Sequence, residues 1–338
     1  MNRLSDESRV RWVDFIRALS AFLVVLAHVP YKWIGPAWAG WFYYSVSRVA
    51  VPLFLMVSGY LLLSKTESLS AFFRRRLVKV FVPFFLWSVV YLLWKQEGFG
   101  NPIMELVKSY PIRILRGPRE NHLWFFYELF GLYLFTPILR IYVSRASRRD
   151  LMYFCGLWFM MIPVGNLIQE FTPIKIGFSY QFLGGYIGYF IYGYLAGGME
   201  FTRRQKTFAF AVFVFCWGLT MLGMYFRSIQ GLESQYFEDY QSFNVVIMTV
   251  SLFACLSQAP INDPLKRVVL PLSLASFGIY LAHIIVVTEV FSIPQISAWF
   301  SMGSAIYMIP VMGLLGFVLS FLLIQILRAI PILRIFAP

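Results

Sequence analysis

The sequence predicts an all-α integral membrane protein of about ten transmembrane helices, with both termini on the cytoplasmic side. Three observations carry this. First, 59% of the 338 residues are hydrophobic and only 13% are charged, against about 45–50% and about 25% in soluble domains. Second, the apolar residues form long continuous runs from end to end, which excludes a soluble enzyme with one anchor. The same runs argue against a transmembrane barrel, whose strands alternate, and so much apolar matter excludes disorder. Third, Lys and Arg are distributed unevenly between alternate connections.

A helix needs about 20 mostly apolar residues to cross the hydrocarbon. Ten runs qualify, near residues 12–33, 40–63, 78–95, 123–142, 150–169, 178–199, 207–227, 242–258, 270–290 and 304–327. No soluble domain fits between them. Residues 1–338 read as one membrane-embedded domain with short cytoplasmic tails at 1–11 and 328–338. The N-terminal run is longer than a signal-peptide core and lacks a small-residue cleavage site, so it reads as the first helix. With the N-terminus inside, 19 Lys and Arg fall on the cytoplasmic side and 8 outside, as the positive-inside rule asks. Five of the eight are Lys95, Lys108, Arg113, Arg116 and Arg119. Four of them lie in the longest connection, about 96–122, and Lys95 at its edge; that connection reads as a long functional loop.

The net charge of +13 therefore follows from topology and anionic inner-leaflet lipid, and implies no nucleic acid. Cys155, Cys216 and Cys255 all lie in predicted spans. They read as packing residues, with no disulfide framework and no metal site.

Ionisable groups inside spans are costly and are functional hypotheses by default. The first run holds Asp14, Arg17 and His28, and the second Arg48. The fourth opens at His122 and contains Glu128, and the ninth holds His283 and Glu289. All three histidines of the chain are in this set. Arg17 and His28 are 11 residues apart, a rotation of about 1100°, so they share a face at about 16 Å separation. Asp14 is one turn before Arg17 and can pair with it. Counting from the span ends puts Arg48 about 12 Å and His283 about 19 Å deep, which allows Arg48, His28 and His283 a common depth. His122 falls at the outer mouth. The alternative is that these groups only satisfy one another as buried structural pairs.

Five stretches in order resemble one family. They are Asp14-x-x-Arg17 with His28 after ten further residues; Ser47-Arg48 followed by Pro52-x-Phe54 and Ser58-Gly59-Tyr60; Arg74-Arg75-Arg76-x-x-Lys79 leading to Pro83; His122-x-Trp124; and Gly278-x-Tyr280-x-x-His283. The sequence resembles the integral-membrane acyltransferase-3 family over about residues 12–327. Its length and span number are similar to the branch containing the enterobacterial common antigen O-acetyltransferase. The family's usual Arg-x-x-Arg is Arg76-x-x-Lys79 here, which keeps a cation but loses the bidentate fork.

The resemblance implies an O-acetyltransferase of the bacterial inner membrane. It would carry acetyl from cytoplasmic acetyl-CoA to a hydroxyl of a cell-surface or lipid-linked glycan, without a metal. Arg74, Arg75, Arg76 and Lys79 would hold the donor's phosphates, unless the cluster only enforces topology. His28 would be general base or acyl carrier, with Arg17 and Asp14 on the same face. Arg48 and His283 would stabilise an oxyanion, or His283 would orient His28. His122 and Trp124 would meet the acceptor, and Trp33, Trp38 and Trp41 would stack on sugar or form an interfacial belt. The rival readings are a transporter or flippase, with Gly184-Gly185 and Gly197-Gly198 marking broken helices, and a non-catalytic part of a glycan export assembly.

Overall fold

The computed structural model describes residues 10–29, 38–95, 103–177, 185–232 and 235–337. Among the described residues there is no strand. Eight helical segments are long and apolar enough to cross a membrane: Trp38–Leu63, Leu69–Trp94, Asn121–Arg145, Arg148–Phe171, Arg203–Ile229, Gln235–Leu256, Asp263–Ser292 and Ala305–Ala329. The other two predicted runs hold shorter helices. The first is α1 (Arg11–Ala27), 17 residues long. The other, predicted at 178–199, shows an 11-residue helix, Ile187–Gly197, with residues 178–184 outside the described residues.

Three of the interruptions in the long segments lie beside a proline. A proline ring clashes with the carbonyl four residues before it and removes a hydrogen bond. Pro52 therefore acts on Arg48, and the second segment divides there into α2 (Trp38–Ser47) and α3 (Ala50–Leu63). Pro83 acts on Lys79, which lies in a π turn, Leu77–Phe81, between α4 (Leu69–Arg76) and α5 (Val82–Trp94). Pro163 lies inside a π turn, Met160–Val164, that joins α8 (Arg148–Phe159) to α9 (Gly165–Phe171). Starts are set by side-chain caps. Ser147 and Asp150 form a capping box at α8, as do Thr202 and Gln205 at α11 (Arg203–Ile229), satisfying backbone donors that a helix end otherwise leaves orphaned.

The expectation of a loop across 96–122 is corrected. Residues Ile103–Arg116 form a helix, α6. Tyr110 and Ile114, one turn apart, are buried, while Met104, Ile112 and Leu115 are exposed. The Ile114 carbonyl accepts a hydrogen bond from the Tyr127 hydroxyl on α7 (Trp124–Arg145). The buried side holds this segment against the bundle, a pattern that a count of charges hides. The sequence continues through α10 (Ile187–Gly197), α12 (Gln235–Glu238), α13 (Phe243–Leu256), α14 (Asp263–Ser292), α15 (Pro294–Ser301) and α16 (Ala305–Ala329).

At the centre, α1 packs on α14, α3 and α16, while α3 packs closely on α10 and α11 on α13. Large apolar side chains of α11 and α16, among them Phe208, Phe215, Leu314 and Leu322, point outward, as lipid-facing residues do. The three cysteines are free, with Cys216 buried and the other two half-buried, in keeping with a packing role.

The α3–α10 contact depends on small residues. A Cβ on Gly59 would lie 1.8 Å from the Phe190 carbonyl oxygen, and one on Gly193 would lie 2.1 Å from that of Met56. Backbone cannot yield as a side-chain tip can. Gly197 likewise meets the Tyr60 ring, which favours close packing over a broken helix there; Gly184 lies outside the described residues. We expect Gly59→Ala to destabilise by roughly 1–3 kcal/mol, the usual cost of overpacking. Gly156→Ala, with nothing within 4 Å, should be neutral or better. The thermal midpoints of the two variants in detergent check this, and an unshifted Gly59→Ala would contradict the packing argument.

Candidate active site

The site is organised by the α1–α14 contact. The two helices run in the same direction. The Asp14 carboxylate accepts a hydrogen bond from Ser273 Oγ at 2.6 Å, and one turn on Arg17 Nη2 donates to Ser276 Oγ at 3.3 Å. Further along, His28 Nδ1 lies 3.2 Å from His283 Nε2. Asp14 is buried and His283 wholly so.

Tautomers follow from the partners. His28 Nδ1 is 2.8 Å from the Val24 carbonyl, and His283 Nδ1 is 2.7 Å from that of Tyr280. A carbonyl oxygen only accepts, so each Nδ1 is assigned the proton. His283 Nε2 is then an acceptor turned to His28, and His28 Nε2 keeps an unprotonated lone pair. His122 completes the cluster, with its ring 5.0 Å from that of His283 and 6.3 Å from that of His28. It is 3% exposed, yet neither ring nitrogen makes a hydrogen bond among the described residues. The three histidines therefore converge: His28 and His283, expected at a common depth, meet, and His122, expected at the outer mouth, packs into the same cluster. Among the described residues no group of three His, Cys, Asp or Glu side chains is arranged to hold a metal.

His28 opens into a cavity of about 970 Å³. His28 itself caps α1, and the α2–α3 break brings in Arg48. Arg48 Nε donates to the Glu238 carbonyl at 2.7 Å and Nη1 to the Tyr44 hydroxyl at 3.3 Å. The Tyr44 hydroxyl donates to the Glu238 carboxylate at 2.8 Å. The guanidinium lies 3.9 Å from the Tyr240 ring centre, a favourable cation–π placement. Trp124 faces the same Tyr240 ring at 5.4 Å, and Trp41 also lines the cavity. Trp38 does not line it and is half-exposed, and Trp33 lies outside the described residues.

A second cavity, of about 350 Å³, lies toward the other end of α1 and is lined by Arg17, Arg76 and Lys79 together with Phe54, Phe125, Phe126 and Tyr280. The π turn before Pro83 carries Lys79 here alongside Arg76. Arg76 lies over the Phe72 and Tyr133 rings, and its Nε is buried without a hydrogen-bond partner. Arg74 and Arg75 do not line this cavity. Arg75 instead pairs with Glu67 at 3.0 Å. Asp14 lines neither cavity and ties α1 to α14. Tyr44, Glu238, Tyr240 and Tyr280 were not singled out as site residues from the sequence. The available signal was the acidic stretch around Glu238 and Asp239, since an intramembrane Arg48 demands acceptors.

Fold and site together define a multi-span membrane protein whose polar groups are gathered inside the bundle, between a cationic and an aromatic cavity. The chain belongs to the acyltransferase-3 family, whose profile, described as an acyltransferase domain, matches residues 10–328. It is similar to the succinoglycan biosynthesis protein ExoH of Rhizobium meliloti (strain 1021), with 27% identity over 195 residues, covering 49% of this chain and 51% of that one. It is also similar to the serine/alanine racemase of Enterococcus gallinarum, with 29% identity over 180 residues, covering 48% of this chain and 24% of that one. The match thus spans about half the length of the first relative and about a quarter of the second. No solved structure matches the chain.

Beside the cationic cavity, Glu67 accepts from Arg140 Nη2 at 2.8 Å, and Arg140 Nε donates to the Leu62 carbonyl. Burial pushes the Glu67 carboxyl up, but the Arg140 hydrogen bond and the Arg140 and Arg75 charges outweigh it and hold it below its ordinary value. A carboxylate with a depressed pKa contributes stability above its unfolded value and loses it as pH falls through the folded one. Glu67→Gln should therefore lower the thermal midpoint at neutral pH, and the gap to wild type should close only below the ordinary carboxylate range. A gap independent of pH down to strong acid would contradict this assignment.

Proposed function

We propose that this protein is a membrane-bound O-acyltransferase that moves a short acyl group, acetyl, from acyl-CoA to a hydroxyl of a cell-surface or lipid-linked glycan. The observation that carries the reading is that a cationic cavity and an aromatic one share a wall at Tyr280, with the histidine cluster on the aromatic side. Arg17, Arg76 and Lys79 suit a polyphosphate donor. Trp41, Tyr44, Trp124 and Tyr240 suit the flat faces of a sugar. The name of the relative from Rhizobium meliloti, which refers to succinoglycan biosynthesis, supports a glycan acceptor. The Lys and Arg distribution supports a bacterial cytoplasmic membrane with both termini inside, so that the cationic cavity faces the cytoplasmic acetyl-CoA pool.

In this mechanism His28 Nε2 takes the proton of the acceptor hydroxyl. The oxygen attacks the thioester carbon, the C–O bond forms and the C–S bond breaks. The proton held on His28 then passes to the departing thiolate, which leaves as free CoA thiol. His283 orients His28, because neither of its nitrogens has a proton left to offer an oxyanion. Its Nε2 also accepts from His28 Nδ1 as the imidazolium forms. Arg48, in the same cavity as His28, is the cation placed to stabilise the oxyanion. Arg17 holds the donor, and Asp14 holds α1 in register.

A general base contributes typically about 10²–10⁴-fold. His28→Ala should lose at least that much transfer of radiolabelled acetyl from acetyl-CoA while keeping its expression level and detergent elution profile. Substantial residual transfer would sink the base assignment, and uptake of label into vesicles without transfer would point to a transporter. The cations should separate as the two cavities do. Arg76→Gln should raise the acetyl-CoA KM well beyond any effect on the acceptor KM, and Arg75→Gln should change it little. Equal effects from both would return the cluster to a topological role.

A further inference from the structure

Tyr280 is the one described residue that lines both cavities. Its ring is sandwiched. On the side of the cationic cavity it meets Phe125 at 5.2 Å, Phe126 at 5.4 Å and Phe54 at 6.4 Å between centroids. On the side of the histidines it meets His122 at 5.7 Å and His283 at 5.8 Å. The ring is 4% exposed, and its hydroxyl donates to the His122 carbonyl at 2.8 Å. Tyr280 is one turn before His283, so the backbone that holds this ring also supplies the carbonyl that fixes the His283 tautomer.

From this we infer that Tyr280 is the residue that sets the length of the acyl group. It acts as a septum between the two cavities and bounds the space beyond the thioester carbonyl. The inference rests on the acyltransferase reading above and adds a determinant of donor specificity to it. A donor anchored by Arg17, Arg76 and Lys79 enters through the smaller cavity. Its thioester carbon must reach the junction to come within range of a hydroxyl activated by His28. The chain beyond that carbon then lies against Tyr280, with Phe54, Phe125 and Phe126 behind it. Close-packed aromatic walls do not yield to extra methylenes without strain, so a two-carbon acyl group fits where a longer one collides. One side-chain hydrogen bond, to the His122 carbonyl, fixes the ring tip. Phe125 and Phe126 sit on α7 and Phe54 on α3, so the wall opposite Tyr280 belongs to other helices than α14.

The test is displacement of radiolabelled acetyl-CoA from the purified full chain in detergent by acetyl-, butyryl-, hexanoyl- and octanoyl-CoA. In the wild type, hexanoyl-CoA should compete at least about tenfold more weakly than acetyl-CoA, on the scale that one or a few methylenes are discriminated in a tight pocket. Tyr280→Ala should bring the two within about threefold of each other by removing the wall, on the same scale. Tyr280→Phe keeps the ring and should keep the wild-type ratio, although its hydroxyl bond is gone. Tyr280→Leu, which retains a bulky apolar side chain, serves if the alanine variant fails to elute as wild type, and should fall between them. An unchanged chain-length ratio in variants that still bind acetyl-CoA would overturn the septum and leave the acyltransferase reading intact. Binding of no acyl-CoA by the wild type would overturn both.

Discussion

An ionised side chain at the middle of a membrane helix costs about 2.5–3.5 kcal/mol even on the lenient insertion scale, and most of this structure follows from meeting that cost. The solution is the parallel contact of α1 and α14. Asp14 finds Ser273, Arg17 finds Ser276 and His28 finds His283. Each pair is roughly a turn or more from the next, so one helix-packing register satisfies all three. Slipping it by a single residue would rotate every partner by about 100° and strand the charges. The carbonyls of Val24 and Tyr280, each on the same helix as its histidine, fix the tautomers, and the register then sets His283 Nε2 against His28 Nδ1.

Prolines supply what a regular helix cannot. Within an unbroken helix every backbone group is used, and side chains emerge at fixed angles. The break that Pro52 imposes lets Arg48 turn its guanidinium to Glu238, Tyr44 and Tyr240. The π turn before Pro83 places Arg76 and Lys79 in one cavity. Irregular backbone at membrane depth is tolerated where it is buried in protein or lines a cavity, and both interruptions lie beside cavities.

These placements connect to chemistry through dryness. His122 and His283 are almost entirely shielded, and hydrogen-bonded charges act more strongly where water is excluded. The larger cavity has the volume to hold a bulky partner, while the smaller is walled in part by phenylalanines. A donor with a long polyanionic end and a small reactive tip is matched to the second, and a broad polar partner to the first. Tyr280 stands where the two meet.

The sequence by itself determined the ten apolar runs, the short set of intramembrane ionisable residues and the shared face of Arg17 and His28. These are local properties: composition over about 20 residues and the 3.6-residue period need no knowledge of neighbours. The family resemblance was legible for the same reason, since its stretches are short and contiguous. Tertiary structure alone decided which cations work together. Arg75 and Arg76 are adjacent in sequence, yet one turns to Glu67 and the other to the cavity. Tertiary structure also turned the expected loop at 96–122 into α6, because the buried faces of Tyr110 and Ile114 have meaning only against Tyr127 and its surroundings. It brought Glu238 and Tyr240 to Arg48 across about 190 residues, and Tyr280 between two cavities lined from several helices. Such contacts depend on the crossing geometry of distant helices, which no periodicity within a single segment encodes.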